Sequence, residues 1–283
     1  MTGLPVISRL EAIIAQEPVD EVLITLPREQ YSHVVETIVR LCEEQGIIVR
    51  LRTEMFTLKI ARWHVDEVDG MPMVTIRSGP TDGWPLMAKR LFDVCGSAIC
   101  LLGLAPLFAI LALLIKLDSP GPVFFRQERV GFHKRRFRVF KFRTMLEGAE
   151  RQQPMLEGLN EADGPVFKIK HDPRITRTGK FLRRFSLDEL PQLINVLKGE
   201  MSLVGPRPLP VRDVERIDVR WHKRRFSVKP GVTCLWQVNG RSDVDFARWV
   251  TMDLEYIDNW TLGLDLKILI RTIPAVFKGS GAY

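Results

Sequence analysis

The residues best suited to chemistry lie together in 186–208, SLDELPQLINVLKGEMSLVGPRP. Two adjacent carboxylates, Asp188 and Glu189, stand where a helix should begin. Ser186-x-x-Glu189 has the form of a capping box. Pro191 is tolerated only in a first helical turn, which makes Asp188 the other candidate N-cap. Leu190, Leu193, Ile194 and Leu197 follow at helical spacing, and Lys198-Gly199 stops the run. Acids at the positive end of a helix have lowered pKa values, and that same end attracts phosphate. Taken alone, this is ordinary helix-start chemistry. What sets it apart is the density of cations nearby: Arg183 and Arg184 just before the acids, and Arg207 aimed by the rigid turn Gly205-Pro206-Arg207-Pro208. Arginine forks match diphosphate oxygens.

Composition narrows the partner. The 283 residues carry a formal charge of +7 and a pI near 9.4, which favours an anionic partner: nucleic acid, anionic lipid or a phosphorylated ligand. With 46% hydrophobic and 27% charged residues, the chain is neither disordered nor a polytopic membrane protein. Cys42, Cys95, Cys100 and Cys234 form no CxxC pair. They read as reduced thiols in a cytosolic setting, without a disulfide frame or zinc site. Residues 1–20 hold acids and no long apolar core, hence no secretory signal.

The elements that must position the acids begin with an apolar run at 94–115, long enough to cross a bilayer. Pro106 interrupts it, and Gly96 and Gly103 weaken it as a helix. Both flanks are basic, with Lys89 and Arg90 before and Lys116, Arg126, Arg129, Lys134, Arg135 and Arg136 after, which assigns both ends to the cytoplasm. A helix that enters, bends at Pro106 and returns satisfies these features; a plain transmembrane helix and a buried core helix are the competing readings. Residues 123–127 and 138–145 alternate apolar and basic residues and read as strands with one apolar and one cationic face. Residues 151–164 are polar and read as a mobile loop. No RNA- or DNA-binding motif accompanies the basic residues, and their place beside the apolar run favours lipid headgroups and a phosphorylated ligand.

Upstream, 19–27 reads as a buried strand, 31–44 as a helix and 47–51 as a second strand, a β-α-β unit of the parallel kind, preceded by a helix at 9–16. Residues 66–84 are rich in Gly, Pro and Asp and read as a connection containing a domain boundary. Downstream, 243–257 is helical, and 264–277 is an amphipathic helix suited to a membrane surface or to a core.

Six motifs in register carry a family resemblance: Lys89-Arg90-Leu91-Phe92-Asp93, Lys141-Phe142-Arg143-Thr144-Met145, the stretch around Asp188-Glu189, Gly205-Pro206-Arg207-Pro208, Lys229-Pro230-Gly231-Val232-Thr233 and Gln237-Val238-Asn239-Gly240-Arg241. Together, over about residues 86–280, they resemble the bacterial sugar transferases, the monotopic polyprenyl-phosphate phosphoglycosyl transferases. The resemblance implies transfer of a sugar-1-phosphate from a UDP-sugar to undecaprenyl phosphate, through a phosphosugar-aspartyl intermediate with release of UMP. It places the chain on membrane lipid at the cytoplasmic face of the bacterial inner membrane, with Mg2+ as cofactor. By the same mapping Asp188 is the nucleophile, Glu189 its partner, and both associate with the metal. Arg126, Lys141, Arg143, Arg183, Pro206, Arg207, Gln237, Asn239 and Arg241 are the expected substrate-binding residues under this resemblance, with Pro106 at the membrane break. The family's Ser-Pro pair at that break is Ala105-Pro106 here.

The implied architecture is an α+β, helix-rich monotopic membrane domain at 85–283 with a re-entrant helix at about 89–117. A partial Rossmann-like, nucleotide-binding-like α/β segment at 1–84 precedes it, resembling the second half of a domain found in longer members. UDP-glucose and UDP-galactose are the expected donors, nucleic acid is not an expected partner, and a homo-oligomer is left open. A non-catalytic membrane scaffold for glycosyltransferases and a basic nucleic-acid-binding protein are the alternatives.

Overall fold

The computed structural model of the chain describes residues 4–26, 28–52, 62–68, 71–77, 83–161, 164–169, 171–240 and 244–278. Its N-terminal part is built on a strand pair. Helix α1 (Leu4–Gln16) precedes β1 (Glu21–Ile24), and α2 (Arg28–Gln45) connects β1 to β2 (Ile48–Arg52). β1 and β2 pair in parallel, as the apolar runs flanking an amphipathic helix require. Ile14, Ile24, Val35, Ile38, Cys42 and Val49 are buried in one core. The 66–84 connection is not all loop: β3 (Arg62–Val68) and β4 (Met71–Arg77) form an antiparallel hairpin, and β4 adds to β2 to give the order β1-β2-β4-β3. Alternating residues such as Met71, Met73 and Thr75 sustain a strand that the local Gly and Pro content concealed.

The apolar run is two helices, α3 (Trp84–Gly103) and α4 (Ala105–Asp118), bent by 61°. Leu104 is the break, with φ −91° and ψ 1°. Pro106 lies in the first turn of α4, where its missing N–H leaves no helical bond unmade. Among the described residues no single helix is long and apolar enough to cross a membrane; the bent pair passes that test only together. Met87, Leu91, Ile99, Leu102, Leu113 and Leu117 are exposed along it, while Leu111 and Ile115 pack inward against Phe142 and Leu182. Lys89 ties α3 to the remainder, 3.0 Å from Asp93 and 2.8 Å from Asp265.

Next come β5 (Phe124–Val130) and β6 (Arg136–Phe142), antiparallel, with Phe125 opposite Lys141. Helix α5 (Arg177–Arg184) is capped by Thr176, whose hydroxyl accepts from the Gly179 N–H at 3.0 Å. A single 3-10 turn, Leu187–Glu189, separates it from α6 (Gln192–Lys198). β7 (Ser202–Val204), β8 (Leu209–Pro210), α7 (Val211–Glu215), β9 (Gly231–Thr233), α8 (Leu235–Val238), α9 (Phe246–Asp258) and α10 (Leu262–Lys278) complete the chain. β8 joins β5, and β7 pairs with β9 in parallel. Residues 151–164, expected as a mobile loop, belong in their first part to a 3-10 helix, Ala149–Leu159. Arg174 holds its start through the Ala149 carbonyl at 3.0 Å, and Arg212 and Arg216 hold its far end through Glu157. In α10, Ile268 is buried while Leu266, Ile270, Ile273 and Phe277 are exposed.

Candidate active site

The capping box does not form. Ser186 has φ 53° and makes no side-chain cap; its N–H donates to the Arg183 carbonyl at 3.0 Å. Glu189 cannot reach back to that N–H because two cations draw its side chain the other way. Lys141 Nζ lies 2.7 Å from Glu189 Oε1. Arg207 spans both oxygens, Nη2 to Oε1 at 2.5 Å and Nη1 to Oε2 at 3.1 Å. The acids therefore occupy a tight turn before α6 rather than its first turn. Both are buried.

Asp188 is differently placed. Among the described residues its nearest cation, Lys141, is 4.0 Å away. Burial pushes the Asp188 carboxyl up, against the pull of Lys141. Burial would also raise Glu189, but Arg207 and Lys141 overcome it and hold that carboxyl well below the usual range. Arg207 is raised, since the Glu189 carboxylate outweighs its burial. Burial lowers Lys141 and Arg183. One carboxylate is thus locked into ion pairs, while its neighbour is poised and little engaged.

Each cation has a structural cause. Strand pairing puts Lys141 and Arg129 on one face of the β5–β6 hairpin, facing the acids. Arg129 donates to the Pro208 carbonyl at 2.8 Å, and burial beside Arg207 brings its pKa down to about 10. The sequence motifs did not single Arg129 out; the signal was its register, four residues after Phe125, the residue opposite Lys141. Arg207 is carried by the 205–208 turn, which lies against 229–231. There the Gly231 N–H donates to the Pro206 carbonyl at 2.9 Å, and a Cβ on Gly205 would come within 2.4 Å of the Lys229 carbonyl, so only glycine fits. Arg183 donates to the Thr144 hydroxyl at 3.0 Å and feels Asp188 electrostatically.

Other expected residues are placed elsewhere. Arg126 is exposed on the opposite hairpin face, its guanidinium 4.9 Å from the Phe140 ring centre. The expected division into an apolar and a cationic face therefore fails, because counting in twos from the observed pairing puts cations on both. Arg143 is buried at the end of α4, donating to the Ser119 and Pro120 carbonyls at 2.6 and 2.8 Å; these bonds satisfy helix-end carbonyls. Gln237 accepts from the Cys234 thiol at 2.9 Å, and Asn239 from Arg271 at 3.5 Å. Neither makes a hydrogen bond to the acids among the described residues. Arg241 lies outside the described residues.

For a metal, no group of three or more His, Cys, Asp or Glu side chains converges among the described residues. Glu189 is already neutralised by Arg207 and Lys141, which leaves the Asp188 carboxylate as the hard oxygen donor.

This constellation stands inside a recognisable sequence frame. Residues 84–279 match the bacterial sugar transferase family. The chain belongs to that family. It is 39% identical to the galactosyl transferase CpsE of Streptococcus agalactiae serotype III (strain NEM316), over 93% of this chain and 59% of that protein. It is 38% identical to the undecaprenyl-phosphate glucose phosphotransferase of Komagataeibacter xylinus, over 95% of this chain and 50% of that protein. The exopolysaccharide production protein ExoY of Rhizobium meliloti (strain 1021) is 42% identical over 70% of this chain and 88% of its own length. The chain thus spans 50–59% of the length of the first two relatives. Within this sugar transferase, the site lies wholly in the matched region and is assembled from β5, β6, the 187–189 turn and the 205–208 turn.

Proposed function

We propose that this sugar transferase moves a sugar-1-phosphate from a UDP-sugar to undecaprenyl phosphate, with Asp188 as nucleophile. The carrying observation is the asymmetry of the acid pair: Glu189 is consumed by Arg207 and Lys141, while Asp188 is buried beside them with no cation nearer than 4.0 Å among the described residues. The names of the relatives support the substrate class, and UDP-glucose and UDP-galactose are the donors to test first.

In the first step an Asp188 carboxylate oxygen attacks the β-phosphorus. The bond from that phosphorus to the bridging oxygen breaks, and UMP leaves with the bond's electrons. In the second, an oxygen of the polyprenyl phosphate attacks the phosphorus of the phosphosugar-aspartate and Asp188 departs as carboxylate. Lys141, Arg129, Arg183 and Arg207 act electrostatically on the two acids. Such a surplus of fixed positive charge binds a diphosphate and stabilises the leaving phosphate without reorganisation. Asp188 is the residue that would hold Mg2+, together with diphosphate oxygens, since Mg2+ commonly takes one or two carboxylates plus substrate phosphates and keeps its waters. When bound, it neutralises phosphate charge. Glu189, in this geometry, orients Arg207 and Lys141.

We also place α3 and α4 in the cytoplasmic leaflet as a re-entrant pair, so that the chain is monotopic at the inner membrane. The 61° bend, the exposed apolar side chains and the basic flanks support this. Cysteine-accessibility labelling should find residues before α3 and after α4 on the same side; opposite sides would overturn it.

The test of activity is nucleotide release. Detergent-solubilised protein with Mg2+, undecaprenyl phosphate and either UDP-sugar should release UMP. Release of UDP would mean ordinary glycosyl transfer and would remove Asp188 from the nucleophile's role.

A further inference from the structure

One buried charge pair is left over by this chemistry. Arg225 and Asp253 are each 1% exposed, with Arg225 Nη2 2.7 Å from Asp253 Oδ2. Burying two charges is seldom a net gain over well-packed apolar residues, so stability alone explains the pair poorly. The same Nη2 donates to the backbone carbonyl of Arg207 at 2.9 Å. Its neighbours in the turn are held likewise: the Pro206 carbonyl by the Gly231 N–H at 2.9 Å and the Pro208 carbonyl by Arg129 at 2.8 Å. Pro206 and Pro208 have no N–H of their own, so three consecutive carbonyls supply most of the anchorage available to this backbone. The middle one belongs to the residue whose guanidinium spans Glu189. Trp249 packs against Arg225, 5.2 Å from guanidinium carbon to ring centre, and Trp236 lies against Trp249, ring centres 4.4 Å apart and planes tilted by 40°, leaving Arg225 little room to turn. The Asp253 oxygens face Arg225 and the Trp249 indole but make no well-aligned hydrogen bond among the described residues, so Asp253 acts on Arg225 mainly through charge.

We propose that Asp253 and Arg225 are positioning residues for Arg207, a strut from α9 that fixes the arginine fork on Glu189 and on the substrate's diphosphate. The diphosphate half rests on the function proposed above; the strut itself does not. It predicts that the 203–209 backbone loosens when the strut is cut and that the cost in catalysis is already contained in the loss of the Arg207 fork.

The experiment uses the full chain in detergent, with Asp253→Asn, Arg225→Met, Arg225→Lys, Arg207→Lys and the double variant Arg225→Met with Arg207→Lys. Hydrogen exchange followed by mass spectrometry reads residues 203–209; UMP release gives kcat and KM. Faster exchange at 203–209 in Asp253→Asn and Arg225→Met is expected, with kcat/KM lowered about 10- to 100-fold. Arg225→Lys should recover part of the loss, and the double variant should fall little below Arg207→Lys alone, because residues acting as a unit are not additive. Arg174→Met, which cuts a different buried pair, with Asp172 at 2.6 Å, should leave exchange at 203–209 unchanged. Unaltered exchange in the isosteric Asp253→Asn, or losses that multiply in the double variant, would overturn the proposal. If the unaltered chain releases no UMP from either sugar, the proposed function fails, while the exchange comparison still decides the strut.

Discussion

Two buried charge networks in this chain have similar composition and opposite character. In the first, Lys89 bridges Asp93 and Asp265. Asp93 also accepts the Leu203 N–H at 3.0 Å, and Asp265 accepts the Tyr256 hydroxyl at 2.8 Å and the Trp260 indole N–H at 3.3 Å. Both acids there have several donors, and the network ties α3 to β7, α9 and α10. In the second, Glu189 takes Lys141 and the Arg207 fork, and Asp188 is left 4.0 Å from the nearest cation among the described residues. Between these two networks, burial and charge do not separate the structural one from the chemical one; the donors that each acid engages do.

Exchanging equivalent residues breaks this comparison most sharply. Asp188→Asn should abolish UMP release, by on the order of 10^4-fold, with no fall in melting temperature, whereas Asp93→Asn should lower the melting temperature and leave the activity per folded molecule in place. Equal effects on both readouts would erase the distinction. Lys89→Met leaves Asp93 and Asp265 buried without their cation and should cost about 3–5 kcal/mol in denaturant unfolding.

A pH profile sharpens the open network. Burial raises Asp188, and attack requires its ionised form, so the acid limb of kcat/KM should lie above the ordinary aspartate range. Lys141 opposes that rise, so Lys141→Met should push the limb higher still; a limb that moves downward would contradict the geometry. The smallest effect belongs to a third, exposed pairing. Asp20 joins the N-terminal segment to the β5–β6 turn through Arg135 and through His133, 2.5 Å away. Burial raises Asp20 slightly, and the bonds to Arg135 and His133 outweigh it, so its pKa is lowered. A depressed carboxylate contributes stability above its unfolded pKa and loses it as pH falls through the folded one. Asp20→Ala should therefore cost at most about 1 kcal/mol at neutral pH and nothing at strongly acid pH, as denaturation at the two pH values would show.

Much of this was legible beforehand, for identifiable reasons. Helical spacing revealed α2, α9 and α10, and the apolar run with its central proline revealed the bend, because these are local properties of period and of a missing N–H. Asp188, Glu189, Lys141, Arg183 and Arg207 were all legible as candidates. What the spacing misjudged were the features decided by partners at long range. Ser186 looked like a cap until Glu189 was drawn to Lys141 and Arg207. Arg143 looked like a ligand until the end of α4 claimed its donors. Arg225, one of three consecutive cations in Lys223-Arg224-Arg225, carries no signal of its own in the sequence, yet it is among the most buried of the described residues.

By itself, then, the amino-acid sequence determined the kinds of element, the break at residues 104–106, the family and the short roster of groups able to act on a diphosphate. These follow from local periodicity, from proline and glycine, and from motif order. Only the tertiary structure decided which acid is free and which is spent, which face of a hairpin carries the working lysine, and that a buried arginine stands behind Arg207. Those depend on register and on ion pairs and hydrogen bonds between residues 18 to 48 positions apart in the chain, separations at which no spacing rule can assign a partner.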